Sequence, residues 1–114
     1  MEQLNKVQLR GIIGSVKLIN IGDRKGARIT VATNLAYRGG QGGSPVIETT
    51  WHNVTAWSGT NITNLDSLKK GDAVEIVGRL KNQHYVGSDG TDHSSVEILA
   101  SSMKFVDENM KMEE

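Results

Sequence analysis

The chain has no cysteine, which excludes a disulfide framework and any thiolate zinc site and fits a reducing compartment. Nowhere do eighteen apolar residues run consecutively, and no cationic stretch followed by an apolar segment opens the chain. Neither a membrane span nor a secretory signal is therefore expected, and a cytoplasmic location is the default. Net charge is also missing, since 13 Lys and Arg balance 13 Asp and Glu, whereas binders of polyanions are usually basic. The balance is uneven along the chain, however. The last eight residues hold Asp107, Glu108, Glu113 and Glu114 against Lys111, which leaves residues 1–106 with a charge of +3. A mildly basic body permits a nucleic-acid partner without requiring one. Internal repeats and Pro-rich, Gln-rich or long charged segments are absent as well. The expected organisation is one folded domain over residues 1–106 and a short acidic C-terminal extension over 107–114, a length that lets a chain bury roughly two-thirds of its unfolded surface.

Aromatic residues are scarce, five in 114, and their positions are informative. In the run Thr49 to Trp57, rich in β-branched and aromatic residues, side chains alternate with the period of a strand. One face carries Val54 and Ala56; the other carries Trp51, Asn53, Thr55 and Trp57. Val74 to Tyr85 repeats the pattern, with Val74, Ile76 and Leu80 on one face and Arg79, Lys81, Gln83 and Tyr85 on the other. With Tyr37, four of the five rings are thus expected to point away from the core and towards cations. Rings on a wet face pack beneath a loop, against another subunit, or against a ligand, and periodicity leaves all three open.

Five strands are expected, over 5–13, 27–34, 46–57, 73–85 and 94–105, with 16–21 as a continuation of the first. Between the third and fourth, Ile62, Leu65 and Leu68 recur at helical spacing after Asn61 as N-cap, Lys69 and Lys70 oppose the helix dipole, and Gly71 ends the helix. Three strands, one short helix and two strands give an all-β class with the element order of an OB-fold, a five-stranded Greek-key barrel whose exposed face commonly binds oligonucleotides or oligosaccharides. Glycine-rich connectors at 20–26, 38–44 and 87–92 are expected to be mobile. The middle one, Arg-Gly-Gly-Gln-Gly-Gly-Ser, has no Lys followed by Ser or Thr after its glycines, so it is not a phosphate-binding P-loop.

Catalytic chemistry is not indicated. His52, His84 and His93 show neither metal-ligand spacing nor helical pairing, and His52 shares parity with Val54 and Ala56, as expected of a hydrogen-bonded packing residue. No catalytic residue, metal site or cofactor is expected.

Several stretches together resemble the bacterial single-stranded DNA-binding proteins of the homotetrameric OB-fold type. Asn5 through Gly14 is similar to that family's first strand, Ile29-Thr30-Val31-Ala32-Thr33-Asn34 to its second, and Thr50-Trp51-His52-Asn53-Val54 to its Glu-Trp-His-x-Val signature. Leu68-Lys69-Lys70-Gly71-Asp72 and Val77-Gly78-Arg79-Leu80 resemble the helix end and fourth strand, and Val96 to Phe105 the last. The resemblance covers about residues 4 to 106. It implies sequence-independent binding and protection of single-stranded DNA in replication, recombination and repair, by a non-enzymatic homotetramer, or homodimer, in the bacterial cytoplasm at the nucleoid. Bases would stack on Tyr37, Trp51, Trp57 and Tyr85, and Lys6, Arg10, Arg79 and Lys81 would neutralise phosphates.

The chain departs from that family in three places. Val16-Lys17-Leu18-Ile19-Asn20 replaces an Asp-Pro-Glu turn, the cations before the fourth ring thin to Lys81-Asn82-Gln83-His84, and the long linker with an aromatic acidic tip is missing. A tail-less or truncated member is expected, without recruitment of partner enzymes through such a tip. Two other readings fit the pattern: a primosome-type OB-fold paralogue acting mainly through protein contacts, and an oligosaccharide-binding or structural OB-fold domain.

Overall fold

The computed structural model describes residues 1–39 and 42–106; the expected acidic extension lies outside them, as does part of the 38–44 connector. Five strands, β1 (Val7–Ile21), β2 (Arg24–Arg38), β3 (Pro45–Trp57), β4 (Ala73–Val86) and β5 (Asp92–Phe105), close into a barrel in the order β1-β2-β3-β5-β4. All neighbours are antiparallel except β3 and β5, which pair in parallel at Val54–Ile98 and Thr55–Leu99. That crossover is the Greek-key step, and the architecture is the OB-fold expected from element order.

Alternation explains the core. Ile13, Ile29, Val31, Val54, Val74 and Ile76 all point inward and are at most 2% exposed. The core cluster is aliphatic throughout; among the described residues every aromatic ring is at least partly exposed. Rings excluded from a core that aliphatic side chains already fill must find their partners outside.

β1 contributes to two walls because it is a single bent strand. Residues 7–12 pair with β4 and residues 12–21 with β2, and a bulge at Gly14 separates the two segments. The bulge inserts one residue, which bends the strand and resets its alternation, so Ile13 and Val16 both face inward while Ser15 and Lys17 face out. The continuation over Val16–Ile21 is therefore real, and the first connector shrinks to the two-residue turn Gly22-Asp23, with Gly22 at φ 60°. At its other end β1 is extended by a side chain. The Asn5 carboxamide donates to the Leu80 carbonyl and accepts from the Leu80 amide, both at 2.9 Å, standing in for one more ladder residue where β4 leaves the barrel.

The helix between β3 and β4 is shorter than its apolar spacing predicts. A single 3-10 turn, η1, covers Leu65–Ser67, and its N-cap is Asn64, whose Oδ1 accepts from the Asp66 amide at 3.0 Å. Asn61 and Ile62 belong instead to β5: Ile62 bridges Met103, and the Met103 amide donates to the Asn61 carbonyl at 2.9 Å. Pairing with a sheet edge overrides helical spacing, and Leu65 and Leu68, three apart, still meet the core because a 3-10 turn eclipses such positions. Lys69 and Lys70 follow the turn rather than capping a dipole, and Lys69 pairs with Asp72 at 3.1 Å. Gly71 adopts φ 97° as expected of a stop, and its amide donates to the Ile13 carbonyl at 2.8 Å.

Candidate nucleic-acid interface

The β2–β3 ladder runs without a break from Gly26–Trp57 to Arg38–Pro45. Residues 26, 28, 30 and 32 of β2 therefore share one outward face with Trp57, Thr55, Asn53 and Trp51 of β3. Ser15 and Lys17 of β1 join it, since Ser15 opposes Thr30 and Lys17 opposes Arg28. Beyond β3, Thr55 Oγ1 donates to Glu97 Oε2 on β5 at 2.6 Å, and Gln83 Nε2 on β4 donates to Glu97 Oε1 at 2.5 Å. One continuous outer surface thus crosses all five strands.

Each tryptophan on this surface lies across a glycine. A Cβ on Gly14 would come within 2.8 Å of Trp51 Cη2, and one on Gly26 within 2.7 Å of Trp57 Cε3. Trp51 spans β2, where Ala32 opposite it leaves room, to reach the β1 bulge; it remains 60% exposed. Trp57 is half-buried, and the Arg24 guanidinium sits 4.1 Å from its ring centroid. A planar cation stacked on an indole is a favourable contact. It also means that a base reaching that ring face meets guanidinium first.

Tyr85 is 56% exposed and stacks on His93, centroids 5.1 Å apart and planes at 17°. The β4–β5 tip, far from being an unstructured loop, builds this pair. Thr91 donates its hydroxyl to Asp89 Oδ1 at 2.7 Å and contacts His93 Nε2 at 2.9 Å. Because the single hydroxyl hydrogen is committed to Asp89, His93 donates from Nε2, which fixes its ring over Tyr85. The Thr91 hydroxyl and amide also hold the Asp89 carboxyl below its usual range.

Tyr37 departs from expectation. The unbroken register puts it on the face of Val31, Thr33 and Leu35, so it is exposed on the opposite side of the β2–β3 ribbon from the tryptophans. His52 behaves as expected, part-buried with Nε2 2.9 Å from Thr33 Oγ1.

The expected cations divide. Arg79 and Lys81 are exposed on the outer face of β4, opposite Leu99 and Glu97, in line with Gln83 and Tyr85. Lys6 precedes β1 and lines a cleft with Arg79. Arg10 is engaged elsewhere: its Nε and Nη2 donate to Glu75 Oε2 at 3.1 and 2.6 Å, with Lys104 3.6 Å from the other oxygen. The Arg10 hydrogen bond, reinforced by the charges of Arg10 and Lys104, holds the Glu75 carboxyl low against the opposing effect of burial. Arg10 therefore ties β1 to β4 on a different wall. Two cations that the sequence reading passed over, Lys17 and Arg28, line the cleft between the tryptophans. Arg28 could have been found by parity, since it alternates with buried Ala27 and Ile29; Lys17 could not, because the bulge resets its strand.

The single-strand binding protein family model matches residues 4–106. The single-stranded DNA-binding protein of Neisseria meningitidis serogroup A is 32% identical over 106 residues, covering 90% of this chain and 60% of that protein. The mitochondrial single-stranded DNA-binding protein of Danio rerio is 27% identical over 118 residues, covering 96% of this chain and 81% of that protein. Among solved structures, the Plasmodium falciparum SSB complex with ssDNA superposes with a TM-score of 0.73 at 27% identity, covering 94% of this chain and 98% of that one. The chain spans about three-fifths of the length of its Neisseria relatives. With its barrel topology and a family match over nearly the whole folded body, the chain belongs to the single-strand binding protein family.

Proposed function

We propose that this chain binds single-stranded DNA without reading sequence and so protects it in replication, recombination and repair, by stacking and charge neutralisation rather than catalysis. The observation that carries this reading is the pair of indoles laid across Gly14 and Gly26 on one outer face, with Lys17 and Arg28 between them. Every base has a π-face, so such platforms accept any sequence, each contributing roughly 1–3 kcal/mol. Tyr85 backed by His93 extends the track along the β4–β5 arm, beside Lys81 and Arg79. Lys6 adds charge at its far end. Tyr37 extends the track only for a strand that passes round the edge of the β2–β3 arm. Arg10, bound to Glu75, contributes to the fold that carries the track rather than to phosphate contact.

Titration with oligo-dT is expected to quench the tryptophan emission, whereas duplex DNA of matched length leaves it nearly unchanged because paired bases offer no free faces. Equal quenching by both would eliminate the stacking mechanism.

The working form is a homotetramer. Exposed aliphatic side chains on the β2–β3 arm, Leu35 at 60% and Ile47 at 68%, support self-association, as does Ile12 on the outer side of β1 at 45%. Light scattering at micromolar concentration is expected to give four times the chain mass; a monomer there would remove the tetramer and any wrapping of DNA across subunits.

A further inference from the structure

The outer face is not basic throughout. Between the two tryptophans a cleft of about 290 Å³ has buried Thr55 and Glu97 among its lining residues, with exposed Lys17, Arg28 and Asn53 around them. Its size is at the lower end for small-molecule sites, suited to one nucleobase. Glu97 is 9% exposed, and its partners there are a hydroxyl and a carboxamide rather than a cation. A carboxylate accepts through about four lone-pair sites and donates through none. Thr55 and Gln83 occupy one on each oxygen, which leaves further acceptor sites on a side chain that lines a groove otherwise suited to a polyanion. A fixed negative charge at that place repels phosphate, so the phosphates are left to the surrounding cations. What the carboxylate attracts is a neutral edge rich in N–H donors.

We propose that this cleft is a base pocket that selects a nucleobase carrying an exocyclic amine, cytosine above all, with the N4 amine donating to Glu97. The inference rests on the reading of this face as a single-strand binder. Carboxylates accept from cytosine N4 in base-edge recognition generally. Thymine presents a carbonyl oxygen where cytosine presents the amine, so two acceptors face each other with no proton to share and repel. The stacking rings are indifferent to base identity; Glu97 adds discrimination at one position of an otherwise sequence-tolerant track.

The test compares a short labelled dT oligonucleotide, the same oligonucleotide with one dC, and the same with N4,N4-dimethyl-dC, by fluorescence anisotropy at fixed salt. The single dC is expected to tighten binding by about five-fold or more, the lower end for a base-edge contact, and dimethylation to abolish the gain. Glu97→Gln keeps the shape and an acceptor for Thr55, and the Gln83 amide can turn to meet it; this variant is expected to lose the dC gain while still binding dT. Equal affinity of the native protein for all three oligonucleotides overturns the pocket and leaves single-strand binding standing. Failure to bind any of them overturns both. A dC gain that survives in a folded Glu97→Gln protein removes the carboxylate from the recognition. Should that variant not fold, the dimethyl comparison on the native protein decides alone.

Discussion

Gly14→Ala is expected to weaken binding of single-stranded DNA about as much as Trp51→Ala does, while leaving the thermal midpoint close to that of the parent. The added Cβ would collide with Cζ3 and Cη2 of Trp51, the far end of a side chain that is 60% exposed. An exposed ring can swing away at little cost to the fold, but it then no longer lies flat where a base must stack. The expected loss is the worth of one stacking platform, roughly 1–3 kcal/mol. Gly78→Ala makes the opposite case. Its Cβ would overlap the Leu99 carbonyl oxygen and lie 2.9 Å from the carbonyl carbon, at the point where β5 bulges at Ser101 against β4. Backbone held in a ladder cannot swing aside, so that change is expected to destabilise the fold by about 1–3 kcal/mol, as overpacking does. Equilibrium titration and a melting curve on each variant separate the two. Parental affinity in Gly14→Ala beside weakened Trp51→Ala would show that the seat does not matter; parental affinity in both would remove Trp51 from the site.

How much of this was legible in the sequence depended on whether the deciding interaction was local. Period-two alternation identified Val54, Ala56, Val74 and Ile76 as core and Trp51, Trp57, Arg79, Lys81 and Tyr85 as outward, because alternation within one strand needs no knowledge of its neighbours. Tyr37 shares the parity of the core residues Ile29 and Val31 within β2, so alternation alone already places it on the opposite side from the tryptophans; it is exposed there because β2 runs on past the buried part of the barrel. The fate of Arg10 was hidden because its partner is not local: Glu75 lies 65 residues away and meets it only through the β1–β4 pairing. Lys17 was obscured by the bulge at Gly14, which no residue pattern announced. Asn61 and Ile62 read as a helix start because Ile62, Leu65 and Leu68 fit its spacing, yet the edge of β5 offered Asn61 and Ile62 a better set of hydrogen bonds.

Salt dependence will divide the cations by function. Single strands give a slope of log affinity against log salt near −0.7 per phosphate neutralised, so each cation that meets a phosphate is expected to flatten the slope by about 0.7 when replaced by alanine. Lys17, Arg28, Arg79 and Lys81 are exposed on the track and are expected to behave this way. Arg10→Ala is expected to leave the slope unchanged and to lower stability instead, because Glu75 would lose its principal partner and be left with the more distant Lys104. Trp51→Ala is expected to reduce affinity equally at every salt concentration, since stacking releases no counterions. Arg24→Ala would show both effects, a flatter slope and lower affinity at high salt, because its guanidinium is at once a charge and a layer over Trp57. The contrast that decides is between Arg28 and Arg10. If Arg10→Ala flattens the slope and Arg28→Ala does not, phosphates follow the β1–β4 wall rather than the cleft between the tryptophans, and the proposed track is misplaced.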